Sequence, residues 1–410
     1  MAPRKIRLGV VGASMGRGWF QWAHLPGLEL LKDQIEIAAV CTSRAETARK
    51  AAEITGARHA FHDHRQLVTC PDVDTVLVSV KTPMHAEVVT GAIAAGKDVY
   101  CEWPLAHTLR EAERLTALAG EAGVRNFISL QGRVSPIINT VRDMVRDGYV
   151  GRVLSCSVVA SGMSWGPAID PDQTYLFDAA SGATMLNVAA GHLIDSFCYV
   201  GGEFTEVSAR MATQRQRTAV VSAADVQRLK NFEAVLEPEV AAKANRLEPH
   251  VIRAERWFTP TSPDQLALHG VLENGAVASI HMRGGIHRES NLLWDILGDE
   301  GQIQIIGDIG IPQVANLSIR GARGAVRDMA DIPVAPDYHE ILAGAPSGAA
   351  DNIWRLYRAI LGDIATPQVE IADFADALRR QRLIDAIQTS AANGSRTVSL
   401  GRREPDPTPA

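Results

Sequence analysis

Apolar residues come in short unbroken blocks along the first third of the chain and alternate with polar residues further on. Ile6 to Val11 and Gln34 to Cys41 read as buried strands, and Asp74 to Val80 as a parallel strand covered on both faces. Asp98 to Cys101 and the short stretch Asn126 to Leu130 predict two more. Between them, Arg44 to Thr55 and Met84 to Ala95 read as helices. Strand, helix, strand in this rhythm predicts βαβ units and a parallel sheet.

From Gly151 onward the strands lengthen and alternate. Asp264 to His281 places two of them around Asn274-Gly275, a strong hairpin signal. Leu293 to Leu297 and Gln302 to Ile306 repeat the arrangement around Asp299-Glu300-Gly301. A second domain built on an antiparallel sheet is expected from this change of period. A helix is expected over Thr184 to Val200, and another over Asp373 to Asn393. Residues 213–262 are polar and read as an insertion. The last residues, with three prolines in Glu404 to Ala410, read as a disordered tail.

The composition narrows the function classes. The 410 residues suggest two or three domains, and 46% hydrophobic with 21% charged residues excludes wholesale disorder. Acids outnumber bases 47 to 41, for a net charge of −6, and no basic block marks a nucleic-acid surface. Five cysteines, odd in number and never in a CxxC pair, fit a reducing compartment and no disulfide framework. The apolar run Leu8 to Val11 is too short for a signal peptide. Met185 to Val200 holds His192 and Asp195 and falls short of a membrane span. A cytoplasmic protein without a membrane partner is expected.

The first strand runs into Gly12-Ala13-Ser14-Met15-Gly16-Arg17-Gly18-Trp19 and then a predicted helix. A glycine-rich turn at that place lets the backbone approach a pyrophosphate. Ser14 occupies the usual second glycine position, so the fingerprint is not intact. The end of the second strand reads Cys41-Thr42-Ser43-Arg44, with no acid before Glu46. A carboxylate there suits the 2′-hydroxyl of NAD, whereas Ser43 and Arg44 suit the 2′-phosphate of NADP. NADP is favoured, with NAD the alternative. The competing reading has Ser43 as a helix cap and Arg44 as a solvated cation.

Thr82-Pro83-Met84-His85 and Glu102-Trp103-Pro104-Leu105, after the fourth and fifth strands, carry a family resemblance. It continues through Gln131-Gly132-Arg133-Val134-Ser135-Pro136, Gly182 to Asp195 and Asn393-Gly394. The chain resembles the glucose–fructose oxidoreductase/inositol dehydrogenase family (Gfo/Idh/MocA) over nearly its whole length. Within it the chain is similar to the branch containing the fungal galactose-regulon repressor, through Gly18-Trp19, His24 with Pro26, Ser79-Val80-Lys81, and Glu-Trp in place of Glu-Lys. The resemblance implies an α/β chain: an N-terminal Rossmann domain over residues 1–135, then a C-terminal α+β domain over 136–400. That second domain would have a large, mostly antiparallel open sheet that often forms the oligomer face. Residues 401–410 are left as the tail. A homo-oligomer, dimer or tetramer, follows as an expectation.

The resemblance also implies a site. Candidate cofactor contacts are Gly12, Ser14, Met15, Gly16, Gly18, Ser43 and Arg44, followed by Val80, Thr82, His85, Glu102 and Gln131. Typical members carry a lysine after the fifth strand and an aspartate four residues before an acid/base histidine. Here these positions are Trp103 and Val188, with Asn187 one residue away, while His192 remains. Lys81 is a substitute cation, Tyr175 a further catalytic candidate, and Trp103 and Trp165 candidate walls of a substrate pocket. A tryptophan cannot titrate, though it can stack on a flat substrate. His24 reads as a packing or capping residue. His59, His62 and His64 read as a solvated loop and not a metal site, since no Cys or Glu joins them at ligand spacing. Three functions fit: an NADP-dependent oxidoreductase acting on a sugar, polyol or related small molecule; a cofactor-binding regulator without hydride chemistry; and a nicotinamide-dependent elimination or hydrolysis enzyme.

Overall fold

The computed structural model describes residues 5–16, 18–236, 250–338, 344, 346, 348–362 and 369–401. Apart from Gly401, the expected disordered tail lies outside them. The chain forms two compact units, Met1–Asp143 with Pro333–Arg382, and Met144–Ile332 with Leu383–Ala410.

In the first unit, six strands form one sheet: β1 (Ile6–Val11), β2 (Ile35–Cys41), β3 (His59–Phe61), β4 (Thr75–Val78), β5 (Asp98–Cys101) and β6 (Asn126–Ile128). Their order is β3-β2-β1-β4-β5-β6, with every neighbouring pair parallel. The order reverses between β1 and β4, which opens a crevice at the carboxyl ends of those two strands. The helices are α1 (Leu25–Leu30), α2 (Ala45–Thr55), α3 (His64–Val68), α4 (His85–Ala94), α5 (Leu109–Ala122) and α6 (Pro136–Arg146). Local chemistry sets their ends. Thr108 and Glu111 close a capping box at the start of α5, and Gly123, at φ 64°, ends it. Its apolar stripe of Ala112, Leu115 and Ala119 is buried.

The segment expected as a solvated loop is instead β3 and α3. Asp63 caps α3 by accepting from the Arg65 N–H at 2.9 Å. Three strand residues are too few to show a period. The helix Ala350–Leu361 also belongs to this unit, and its Ile353, Trp354, Leu356 and Tyr357 share a core with Val10, Phe20, Leu28, Leu77 and Tyr100. Gly27 permits the contact with α1: a Cβ there would stand 3.1 Å from Trp354 Cβ and 3.2 Å from its Cα.

The second unit holds β7 (Val153–Ser161), β8 (Ala168–Ile169), α7 (Gly191–Gly201), β9 (Phe204–Ala212), β10 (Thr218–Val220), α8 (Ala223–Lys230), β11 (Ala234–Leu236), β12 (His250–Ile252) and β13 (Arg256–Phe258). Then follow β14 (Gln265–Leu272), β15 (Val277–Arg283), β16 (Leu292–Gly298), β17 (Gly301–Gly307), β18 (Leu317–Arg323), β19 (Ala330–Ile332) and β20 (Val398–Ser399). Nine of these strands form one sheet, ordered β19-β18-β17-β16-β7-β15-β14-β9-β20. It is antiparallel except where β7 runs parallel to β15. The Asn274-Gly275 hairpin forms as expected, with Gly275 at φ 86°. Strand β15 buries Ala278, Ile280 and Met282 and turns Val277, Ser279 and His281 outward. On the buried face Phe197 of α7 stacks on Trp294 and Phe204, both with centroids 5.6 Å away. Residues 213–262 are more than a polar insertion where they are described. They contribute to a three-stranded sheet β13-β10-β8 and a pair β11-β12, around Ala219, Val221, Val226, Leu236 and Ile252.

Candidate functional site

The glycine turn sits where the sheet order reverses. Gly12 has φ 100°, and an added Cβ would run into the Ser79 carbonyl at the end of β4. Only glycine fits that position. The amides of Gly12 and Ala13 donate to the Cys41 carbonyl at 2.9 and 3.2 Å, which pins the turn to the end of β2. At Gly18 a Cβ would stand 2.8 Å from both Cβ and O of Ser14, so the serine in the second glycine position is accommodated by a glycine further on. Gly16, at φ 131°, has open space where a side chain would be, and Ser14 is exposed beside it. Met15 is half-buried against the core.

At the end of β2, Arg44 and not Ser43 is the residue preceding α2, and no side chain caps that helix. The Thr42 and Thr47 hydroxyls both donate to the Arg44 carbonyl, each at 3.0 Å. Ser43 and Arg44 are exposed. The reading of Ser43 as a helix cap therefore fails, and the first amides of α2 remain beside an arginine and a serine, a set that suits a phosphate monoester.

The ends of β4, β5 and β6 carry the remaining candidates of this unit. Lys81 is exposed and precedes a 3₁₀ turn, Thr82–Met84, in which Thr82 is buried. His85 is also buried. Its Nδ1 lies 2.8 Å from the Pro104 carbonyl and its Nε2 2.9 Å from the Val80 carbonyl. Burial pushes its pKa down, outweighing the pull of these two carbonyls. A neutral imidazole has one N–H to give, so it bonds one of these carbonyls, while Nδ1 also has the Cys101 thiol 3.5 Å away; the ring ties the end of β4 to the segment after β5 and shapes this edge. Glu102 holds His24 at 2.8 Å. Trp103 is buried. Gln131, 1% exposed, receives a 3.4 Å bond from Ser129 at Oε1, while its buried Nε2 has no hydrogen-bond partner among the described residues. A buried amide N–H₂ of this kind calls for an acceptor from outside the protein.

In the second unit, a π-helical turn, Leu186–Ala190, leads into α7. Its bonds run from i to i+5, as between the Ala190 amide and the Met185 carbonyl at 2.8 Å. Asn187 lies in this wide turn, five residues before His192. Asn187 donates to the Gly182 carbonyl at 3.1 Å. His192 and Asp195 are buried on α7. Tyr175 is half-buried in the 3₁₀ segment Pro171–Phe177, and burial, with Asp170 adding to it, pushes its hydroxyl pKa up. Trp165 is held by the loop around it. It is buried, adopts φ 61°, and its indole N–H donates to the Leu176 carbonyl at 2.7 Å. It ties the loop after β7 to the 3₁₀ segment.

Sequence reasoning missed the partners of His24. Its Nδ1 lies 2.8 Å from the Tyr357 hydroxyl, and the ring is wholly buried. No local signal connects residues 333 positions apart.

Residues 6–130 match the family model described as the oxidoreductase family with an NAD-binding Rossmann fold. Residues 136–241 and 228–307 match that of the Gal80p C-terminal domain. The galactose/lactose metabolism regulatory protein GAL80 of Kluyveromyces lactis is 28% identical over 330 residues, covering 77% of this chain and 66% of that protein. Dehydrogenase aclE of Aspergillus oryzae is 36% identical over 211 residues, covering 50% of this chain and 57% of that protein. The chain thus spans about two thirds of the first relative and little more than half of the second. A crystal structure of a super-repressor mutant of Gal80p from Saccharomyces cerevisiae superposes with a TM-score of 0.80 over 97% of this chain and 98% of that one, at 23% identity, a likeness of fold. The domain with the parallel six-stranded sheet belongs to the Gfo/Idh/MocA family, and the domain with the large mixed sheet is of the Gal80p C-terminal kind.

Proposed function

We propose that the protein is an NADP-dependent oxidoreductase that moves a hydride to or from a hydroxyl or carbonyl group of a sugar, polyol or related small molecule. The observation that carries the cofactor reading is the uncapped start of α2 beside exposed Ser43 and Arg44. A phosphate there receives the guanidinium, the serine hydroxyl and the helix amides together, whereas the diol of NAD meets no carboxylate. Gly12 supports the same reading, because a side chain at that position would fill the cradle that a pyrophosphate needs. The orphaned Gln131 Nε2 supplies a donor for the cofactor. Val80, Thr82 and His85 form the edge beside it.

A nicotinamide held by the first unit would supply hydride transfer. His192 takes the hydroxyl proton as a carbonyl forms, and returns it in the reverse direction, since imidazole titrates nearest neutrality. Asn187 fixes the helical turn beneath it. Lys81 is a cation that can stand in place of the family lysine, and the Tyr175 hydroxyl, held in its protonated form, is a hydrogen-bond donor and not a base. Trp103 supplies bulk without charge.

Two observations favour a second reading. The titratable lysine position is a buried tryptophan, and a relative covering 77% of the chain is a regulatory protein. A regulator would bind NADP(H) without turnover. The protein also assembles through its large sheet, in this proposal, because Val159, Val277, Leu293 and Leu297 are exposed on strands whose alternate residues are buried. Among the described residues no helix is long and apolar enough to cross a membrane.

A screen of sugars, polyols and their keto derivatives, read by the absorbance of NADPH, tests the proposal. Turnover with any of them establishes the oxidoreductase. Saturable NADPH binding without turnover favours the regulator, and no binding overturns both.

A further inference from the structure

Three side chains of different chemistry meet at the end of the first unit's sheet opposite the glycine turn. His59 opens β3, while Cys70 and Asp72 lie in the turn between α3 and β4. One ligand atom from each lies within 4.8 Å of the other two. Spacing along the chain had pointed away from a metal, because the three nearby histidines have no cysteine close in sequence. The fold supplies one eleven positions after His59 and sends His64 elsewhere, 3.5 Å from Glu87.

The cluster is held by rigid neighbours. The Cys70 amide donates to the Leu67 carbonyl at 3.0 Å and the Val73 amide to the Cys70 carbonyl at 3.2 Å. Lys97 Nζ donates to the carbonyls of Cys70 and Val73, at 3.1 and 2.8 Å. Asp72 is oriented from the other side: Arg7 Nη1 donates to its Oδ1 at 3.3 Å, and Oδ2 lies 2.8 Å from His59 Nε2. Cys70 is buried, whereas the His59 and Asp72 side chains are 36% and 38% exposed, so the group has both a fixed floor and an open side.

We propose that His59, Cys70 and Asp72 bind one zinc ion, with water as the fourth ligand. A thiolate, an imidazole and a carboxylate are zinc's ordinary donors, with bonds of about 2.0–2.3 Å in a tetrahedron. That geometry places ligand atoms roughly 3–4 Å apart, within small side-chain shifts of the arrangement seen. On binding, the Cys70 thiol releases its proton to solvent and His59 carries its remaining proton on Nδ1. Asp72 Oδ2 exchanges the imidazole N–H for the metal, and Arg7 keeps Oδ1. The ion joins β3 to the entry of β4. Because the cofactor edge is at the opposite ends of the strands, the site is independent of the proposed oxidoreductase reading.

The experiment is a cobalt(II) titration of the full, reduced, metal-free chain, followed by displacement with zinc. One equivalent of cobalt is expected to raise a thiolate-to-cobalt charge-transfer band together with the visible bands of four-coordinate cobalt, and zinc is expected to abolish both. Cys70→Ser removes the charge-transfer band. His59→Gln, at a half-exposed position, lowers cobalt affinity at least tenfold and leaves the melting temperature of the metal-free protein unchanged, which covers the case in which the buried serine disturbs folding. No charge-transfer band in the wild type, or a band that survives in either variant at undiminished affinity, overturns the proposal.

Discussion

His24 Nε2 lies 2.8 Å from Glu102 Oε1, so a helix after the first strand and the segment after the fifth are joined by a buried imidazole–carboxylate bond. A carboxylate only accepts, which assigns the proton to Nε2 and leaves Nδ1 to accept from the Tyr357 hydroxyl. His24→Phe keeps the ring volume and removes both bonds, leaving a hydroxyl and a carboxylate unpaired. The expected loss is about 2–4 kcal/mol, read as a lower urea midpoint. Glu102→Gln retains an acceptor for Nε2–H and is expected to lose less. Equal losses would mean that charge, not the bond, holds the pair.

Arg44→Ala tests the nucleotide preference. Removal of a charge-assisted contact to the 2′-phosphate is expected to cost about 1.5–3 kcal/mol, roughly a 10- to 150-fold rise in the Kd for NADPH. The Kd for NADH should not change. Fluorescence titration of both nucleotides decides it, and parallel weakening of the two would place Arg44 elsewhere.

His192→Ala is expected to lower turnover by about 10²–10⁴-fold while cofactor affinity holds. Steady-state rates on the best substrate of the screen, with NADPH titrated separately, check this. Unchanged turnover with a lowered melting temperature would make His192 a packing residue of α7.

His85 makes a pH prediction. Burial sets its folded pKa below the ordinary histidine value of about 6.5, so below that pH the unfolded chain binds the extra proton first. The stability tied to the neutral ring is complete above about pH 6.5 and is lost as pH falls through the folded pKa. Urea unfolding at neutral and mildly acid pH should show a smaller drop in His85→Gln than in the wild type. An identical drop would exclude His85 as the titrating group.

Val277 and Leu293 test the assembly. They are 61% and 42% exposed on β15 and β16. The wild type is expected to be a dimer or larger in light scattering, and Val277→Glu with Leu293→Glu to be a monomer with its fold intact by circular dichroism. A wild-type monomer at micromolar concentration would end the proposal.

The parallel sheet was legible because buried strands such as Thr75–Val78 are continuous apolar runs, and the Asn274-Gly275 hairpin because its turn requires positive φ. The resemblance to the family was legible in motifs at strand ends. What escaped was of two kinds. Short elements, β3 and α3, have too few residues for a period. Contacts between distant positions, such as His24 with Tyr357 or His59 with Cys70 and Asp72, leave no mark in either local sequence. The bond from the Trp165 indole N–H to the Leu176 carbonyl, across eleven positions, left no mark either. The π-turn Leu186–Ala190 before α7 was not legible either, because its i to i+5 bonds leave no period of their own in the sequence.

The first unit closes only with a segment from near the far end of the chain, since Trp354 and Tyr357 complete the core that Phe20, Leu28 and Tyr100 begin. On the ribosome, Gly12 and the five strands after it emerge long before those residues are made. Roughly two hundred amino acids separate Asp143 from Tyr357, which at about 5–20 residues per second is on the order of 10–40 s of synthesis. During that interval His24 has no tyrosine to hold it and Gly27 faces no tryptophan. The apolar faces that Trp354 and Tyr357 cover therefore lack that cover until translation has passed the helix Ala350–Leu361.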